Sequence, residues 1–220
     1  MFKKSVLVAA LCAVSLGAQA WDVPKLPSAG GDKAASKSSG NVETEVKDFT
    51  GKSAELAAIA NASLVEINSA FRSEEEIAST KAALAKAEAM TDPKEKGAAM
   101  AKLNETESAA AAKNLKSADA EKKVKELSAD KQKKMGASLF NFGIAVLKAP
   151  DLISKGKSIL SAATITEAAK VLPVKDALPL LGRFVSDGGS TIAGFMKIAK
   201  GANIAVPEVT ATSSPVKVDM

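Results

Sequence analysis

The sequence predicts an all-α protein with a long helical arm or hairpin followed by a compact bundle of shorter helices. Three observations support this prediction: apolar residues recur every seven positions from Val42, the middle of the chain is mostly Ala, Lys and Glu, and proline and glycine space out the later segments. Seven-residue spacing keeps apolar side chains on one face of a helix, as in a coiled coil, and Ala, Lys and Glu are strong helix formers. We therefore expect helices throughout.

The first twenty residues have the three parts of a secretory signal peptide. Lys3 and Lys4 precede an uncharged run, and Ala18 and Ala20 form the small-x-small pattern of a signal peptidase site, so we expect cleavage after Ala20. An uncleaved anchor would need roughly 20 apolar residues. A lipoprotein would have a small residue before Cys12, where this chain has leucine. We expect an exported protein, periplasmic or secreted. Its short basic start is typical of bacterial export signals, so we expect a protein of the bacterial envelope.

The composition restricts the chemistry of the mature chain. Cleavage would remove Cys12, the only cysteine, and would leave a cysteine-free chain without disulfides. The sequence has no histidine and no tyrosine, which excludes histidine metal sites and Ser-His or Cys-His nucleophiles. The S-x-x-K pattern of serine acyltransferases occurs at 128–131, 154–157 and 214–217, as chance provides in a chain rich in Lys and Ser. We therefore expect that the protein is not an enzyme and that it binds no cofactor and no metal.

The mature chain divides into four predicted regions. Residues 21–41 are rich in Ser, Gly and Lys and are expected to form a flexible leader. Residues 42–129 are the helical arm, 130–206 the compact body, and 207–220 a tail in which Val alternates with polar residues. The tail is expected either to lie extended on the body or to be free.

Capping residues mark the helices of the arm. Ser73 and Glu76 fit a capping box, so residues 42–90 form either one helix or two in register. Asp92 is expected to cap a new helix that begins at Pro93. That helix has few large apolar residues and depends on alanine, which contributes little burial energy. We expect the arm to gain stability from self-association or from packing on the body.

In the body, Asp130 is expected to cap a helix whose uncharged part, 135–147, belongs in the middle of the bundle. Three prolines are expected to separate shorter helices, and a turn at residues 187–189 to precede a last helix that Ser190 or Thr191 caps and that ends at Gly201. The prolines are Pro150, Pro173 and Pro179, and the segments between them are 151–161, 165–172 and 175–186.

Charge is distributed unevenly. Residues 43–134 carry 16 basic and 17 acidic side chains, whereas 135–206 carry 8 basic and 4 acidic side chains. The lysines at 122–134 are matched by acidic neighbours and have no aromatic residues between them, so we interpret them as a solvated helix end. We expect no nucleic-acid partner.

The stretch 182–201 carries the candidate contact residues. Its last helix has an apolar face that is either core or an interfacial surface, and no mature segment has the roughly 20 uncharged residues of a membrane span. The candidates for membrane or partner contact are Arg183, Phe184, Phe195, Met196, Lys197 and Lys200. The function expected first is non-enzymatic binding of a protein partner or envelope component, as an adaptor, scaffold or holdase. The alternative is a lipid- or membrane-surface protein that uses these basic, Gly- and Phe-rich helices.

Overall fold

A computed structural model of the chain describes residues 42–210 and 212–218. The predicted signal peptide with Ala18 and Ala20, and the leader predicted for 21–41, lie outside the described residues. The described residues form six α-helices and no strand, which confirms the all-α prediction. The helices are α1 (Val42–Ser69), α2 (Glu74–Glu88), α3 (Pro93–Leu115), α4 (Ala120–Lys125), α5 (Ala129–Ala162) and α6 (Leu172–Gly201).

Helices α1, α5 and α6 supply most of the hydrophobic core. Gly156 near the end of α5 lies against Phe49 near the start of α1 and against Leu178 near the start of α6. Gly143, earlier in α5, lies against Ile192, later in α6, so α5 runs antiparallel to both neighbours. The three helices contribute fully buried side chains to one cluster, among them Phe49, Leu139, Phe142, Val174 and Phe195. Thus α1 lies in the predicted arm but shares its core with α5 and α6 of the predicted body.

The α5 and α6 helices are longer than the prolines and glycines of the sequence indicated. Pro150 lies inside α5, and Pro179 lies inside α6. The prediction that these prolines end helices is wrong, and so is the predicted turn at residues 187–189. Buried neighbours such as Ala149 and Leu152 hold the helix in the core on both sides of Pro150, and this packing outweighs the lost backbone hydrogen bond.

Helices α2 and α3 form a hairpin beside α1. The region 42–90 is two helices, and the capping box at Ser73 is confirmed: the Ser73 side chain accepts from the Glu76 N–H, and the Glu76 carboxylate accepts from the Ser73 N–H at 2.9 Å. Asp92 caps α3 as predicted, because its Oδ1 accepts from the Glu95 N–H at 2.8 Å. The predicted cap at Asp130 is wrong, since Ser128 caps α5.

The end of α6 sets the direction of the tail. Asn203 has a positive φ of 58°, and its N–H donates to the Lys200 carbonyl at 3.1 Å. The Ile204 N–H donates to the Ala199 carbonyl at 2.8 Å, which completes a Schellman motif. Helix α6 ends at Gly201, as predicted, and Asn203 two residues later turns the chain back onto α5.

Candidate functional site

The C-terminal tail lies directly on α5, where two glycines make room for it. A Cβ added at Gly136 would stand 2.6 Å from the Ala205 carbonyl oxygen, and one added at Gly143 would stand 2.8 Å from Val209 Cγ2. Such separations are too short for nonbonded atoms. The glycines, seven residues apart on one face of α5, thus form a track for residues 205–209.

The tail reverses direction after this track. The Thr210 N–H donates to Ser213 Oγ at 2.9 Å, and the Ser213 N–H donates to the Thr210 carbonyl at 3.1 Å. After this turn the chain passes Asn141, which precedes Gly143 on α5. Its last described part, 214–218, therefore runs back along the groove between α1 and α5.

Asn141 holds the returning segment by its backbone. Its Nδ2 donates to the Val216 carbonyl at 2.8 Å, and its Oδ1 accepts from the Val216 N–H at 2.8 Å. One carboxamide thus satisfies both backbone groups of one residue, as a neighbouring strand would. Because Asn141 is almost fully buried in α5, a rigid helix positions the contact. Asn141 thus recognises a backbone C=O, which every residue has, and a backbone N–H, which every residue except proline has.

A cavity of about 180 Å³ lies between α1, α5 and the returning tail. Ile59 and Ala62 of α1 line its apolar part together with Pro215, Val216 and Val218 of the tail. The polar lining consists of Ser63, Glu66, Ser138 and Asn141. The tail forms one wall of this cavity.

Two residues that line the cavity each have a buried polar atom without a hydrogen bond among the described residues. Ser138 is only 1% exposed, and its Oγ has no hydrogen-bond partner among the described residues. Glu66 Oε2 is also buried and accepts no hydrogen bond from them. Lys81 Nζ lies 3.2 Å from Glu66 Oε2, and we take this contact as an ion pair whose geometry is poor for a hydrogen bond. Lys81 therefore balances the charge of the Glu66 carboxylate.

The six residues proposed as contacts from the sequence do not form one surface. Phe184 and Phe195 are buried: Phe184 makes an edge contact with Phe142, at 5.8 Å between ring centroids, and Phe195 lies against Phe71 at 6.1 Å. The structure corrects the prediction for both phenylalanines, which are core residues. Met196, Arg183, Lys197 and Lys200 are exposed, so only these four remain candidates for contact.

The most exposed large apolar side chains lie elsewhere, at the connection between α5 and α6. Ile165 is 96% exposed and Leu172 is 51% exposed, whereas Met196 is 38% exposed. Within residues 42–210 and 212–218, none of the helices combines the length and apolarity that crossing a bilayer requires. The same residues contain no group of three or more acidic side chains close enough to hold a metal ion. The expectation that the protein needs no metal stays a prediction.

The described residues form an all-α helical bundle, and the C-terminal tail lies in the groove between α1 and α5. Comparison with protein-family models, with curated proteins and with solved structures finds no match to this chain. The groove therefore has to be interpreted from its own chemistry.

The sequence contained only weak signals for this site. The spacing of Gly136 and Gly143 and the alternation of Val in the tail were both visible. No local pattern connects Asn141 with Val216, because 75 residues separate them.

Proposed function

We propose that the protein is an exported, non-enzymatic binding protein whose α1/α5 groove takes up an extended segment of a partner protein. In this proposal the C-terminal tail occupies the groove until a partner segment replaces it. The observation that carries the proposal is the double hydrogen bond between the Asn141 side chain and the backbone of Val216. A buried side chain that pairs with both backbone groups of an extended residue is suited to binding peptide.

The weak attachment of the tail supports replacement. Beyond Ile204 and Val206, most of its described residues are exposed, and Val216 itself is 44% exposed. Segments with few buried apolar contacts open at low free energy while the core stays folded. The groove can thus become free without unfolding the bundle.

A replacing segment has to compete with a covalently attached tail. Attachment through a short flexible connection gives an effective concentration in the millimolar range. A binding test therefore needs a chain whose own tail is weakened while the groove stays intact. Val216→Pro meets this need, because proline has no N–H to donate to Asn141 Oδ1.

The experiment titrates a fluorescent peptide with the sequence of residues 207–220 against the Val216→Pro protein and follows anisotropy. We expect saturable binding, together with much weaker binding to the unaltered protein, whose own tail competes. The matched control adds Asn141→Ala, which removes both hydrogen bonds and should abolish binding. Equal anisotropy changes with and without Asn141 would reject the proposal.

A second candidate function is contact with a membrane surface, and one observation favours it. Ile165 and Leu172 are exposed apolar residues at the end of the bundle, with Lys170 and Lys175 close in sequence. Exposed apolar side chains beside lysines suit shallow insertion into an anionic lipid surface. In this candidate function the membrane contact lies at the connection between α5 and α6. Phe184 and Phe195 take no part in it, because they are buried.

A further inference from the structure

The groove and the segment that lies in it belong to the same chain, so every copy of the protein carries both halves of one binding pair. We propose that the partner segment is the tail of a second copy. Residues 214–218 leave their own groove and lie in the groove of another molecule, and two copies that exchange tails in this way form a symmetric dimer. This inference rests on the proposed function and deepens it, because it names the partner.

The two halves of the tail are held by different contacts. Residues 205–209 lie on the glycine track of α5, where the absence of a Cβ at Gly143 makes room for Val209. Residues 214–218 are held in the groove by the two hydrogen bonds between Asn141 and Val216. The second half can therefore leave its groove while the first half stays on α5.

The turn between the two halves is the hinge of the exchange. Its hydrogen bonds join the Thr210 N–H and hydroxyl to the Ser213 hydroxyl, and the Ser213 N–H to the Thr210 carbonyl. The side-chain hydrogen bonds of this turn are exposed, so water replaces them when the turn opens and the net cost is small. The larger loss, the pairing of Val216 with Asn141, is regained in the groove of the second copy.

An opened tail is long enough to reach another molecule. Val209 stays on the track, and the seven residues from there to Val216 span about 23 Å when they are fully extended. This length is about twice the diameter of a helix with its side chains. Val216 can thus reach beyond its own α5 to Asn141 of a second copy, and the same contact in the opposite direction closes the dimer.

Exchange competes with the attached tail, whose effective concentration is in the millimolar range. The test therefore uses two variants that each lack one half of the binding pair. The Asn141→Ala protein has an intact tail, but its groove has lost both hydrogen bonds to Val216. The Val216→Pro protein has an intact groove, but its tail cannot donate an N–H to Asn141 Oδ1.

The two proteins are mixed, with the Val216→Pro protein fluorescently labelled, and the complex is followed by sedimentation velocity. Neither protein can pair tail and groove by itself, whereas in the mixture the tail of the Asn141→Ala protein can enter the groove of the Val216→Pro protein. We expect a complex of one copy of each, with a Kd within about tenfold of that of the 207–220 peptide, because the same contacts form. As the matched control, the double variant Asn141→Ala, Val216→Pro replaces the Asn141→Ala protein and should form no complex.

The outcomes separate this inference from the proposed function. If the 207–220 peptide binds the Val216→Pro protein but the mixture stays monomeric, tail exchange is overturned and the proposed function stands. A complex that also forms with the double variant overturns tail exchange as well, because the contact between the copies then lies elsewhere. If neither the peptide nor the second copy binds, tail exchange and the proposed function both fail.

Discussion

Arg72 and Glu107 form two parallel hydrogen bonds that connect the α1–α2 turn to the middle of α3. Arg72 Nη1 donates to Glu107 Oε2 at 2.9 Å, and Nη2 donates to Oε1 at 3.0 Å. Asn68 at the end of α1 adds hydrogen bonds of 2.8 Å to Oε2 and to the Glu107 carbonyl. Since α3 has few large apolar residues, this polar cluster fixes the position of the hairpin on α1.

Arg72→Ala should destabilise the protein by about 3 kcal/mol, because it leaves the fully buried Glu107 carboxylate without its cation. The free energy of unfolding in urea measures the effect. Lys122→Ala is the control, since Lys122 and Glu126 are solvent-exposed and 4.0 Å apart; it should change stability by less than about 0.5 kcal/mol. Equal effects of the two substitutions would contradict the role assigned to the cluster.

Two glycines test whether the tail lies on α5, because an added Cβ would meet the tail at Gly143 and nothing at Gly51. Gly51 lies inside α1 with nothing within 4 Å of an added Cβ, so Gly51→Ala should stabilise the protein by about 0.5–1 kcal/mol. Gly143→Ala should instead displace Val209 and release the tail, with faster tryptic cleavage after Lys217 as the readout. Unchanged cleavage in the Gly143 variant would argue against a seated tail.

Two capping boxes give the protein an acid-sensitive component of stability. Hydrogen bonds from the Ser73 N–H and hydroxyl hold the pKa of Glu76 below its ordinary value, and those from Thr164 do the same for the pKa of Glu167. A lowered pKa in the folded state means stability that is present above the ordinary value of 4.5 and is lost as pH falls through the lowered value. We expect stability to fall as the pH drops below this ordinary value of 4.5.

The double variant Glu76→Gln, Glu167→Gln keeps the hydrogen-bond acceptors but removes the titration. Its stability should depend less on pH over this range than that of the unaltered protein, as measured by urea midpoints at a series of pH values. Asp48 leaves some dependence in both proteins, because hydrogen bonds from Lys155 and then Lys52 also lower the pKa of its carboxyl. Identical pH profiles would contradict this assignment.

The membrane-surface candidate predicts flotation of the protein with anionic vesicles that salt weakens. Ile165→Asp combined with Leu172→Asp should remove flotation, because both exposed side chains would then carry charge. Lys200→Ala is the matched control on α6, away from this end of the bundle. Flotation that survives the double substitution would rule out the α5–α6 connection as the contact.

Local signals in the sequence predicted the helix boundaries where side chains cap the backbone. Ser73 with Glu76, and Asp92, act within three residues, so their roles could be recognised from spacing alone. Pro150 and Pro179 gave misleading signals, because long-range packing of α5 and α6 outweighs local preferences.

The candidate site could not be predicted in the same way. Phe184 and Phe195 have the spacing of an exposed amphipathic face, but in the folded chain Phe142 of α5 packs on Phe184 and Phe71 packs on Phe195. The contact of Asn141 with Val216, and the cavity that Ser138 and Glu66 line, exist only after three distant segments have packed together.

Hydrogen exchange of the Val216 amide is the most direct measurement of the central claim, that the tail occupies the groove as a replaceable segment. The hydrogen bond to Asn141 predicts a protected amide that nevertheless exchanges far faster than the Leu139 amide in the core, and that loses its protection in the Asn141→Ala protein. Exchange of Val216 at the same rate as Leu139 would contradict the claim, because the tail would then open only when the whole bundle unfolds. A Val216 amide without any protection would contradict it as well, since the tail would not be seated.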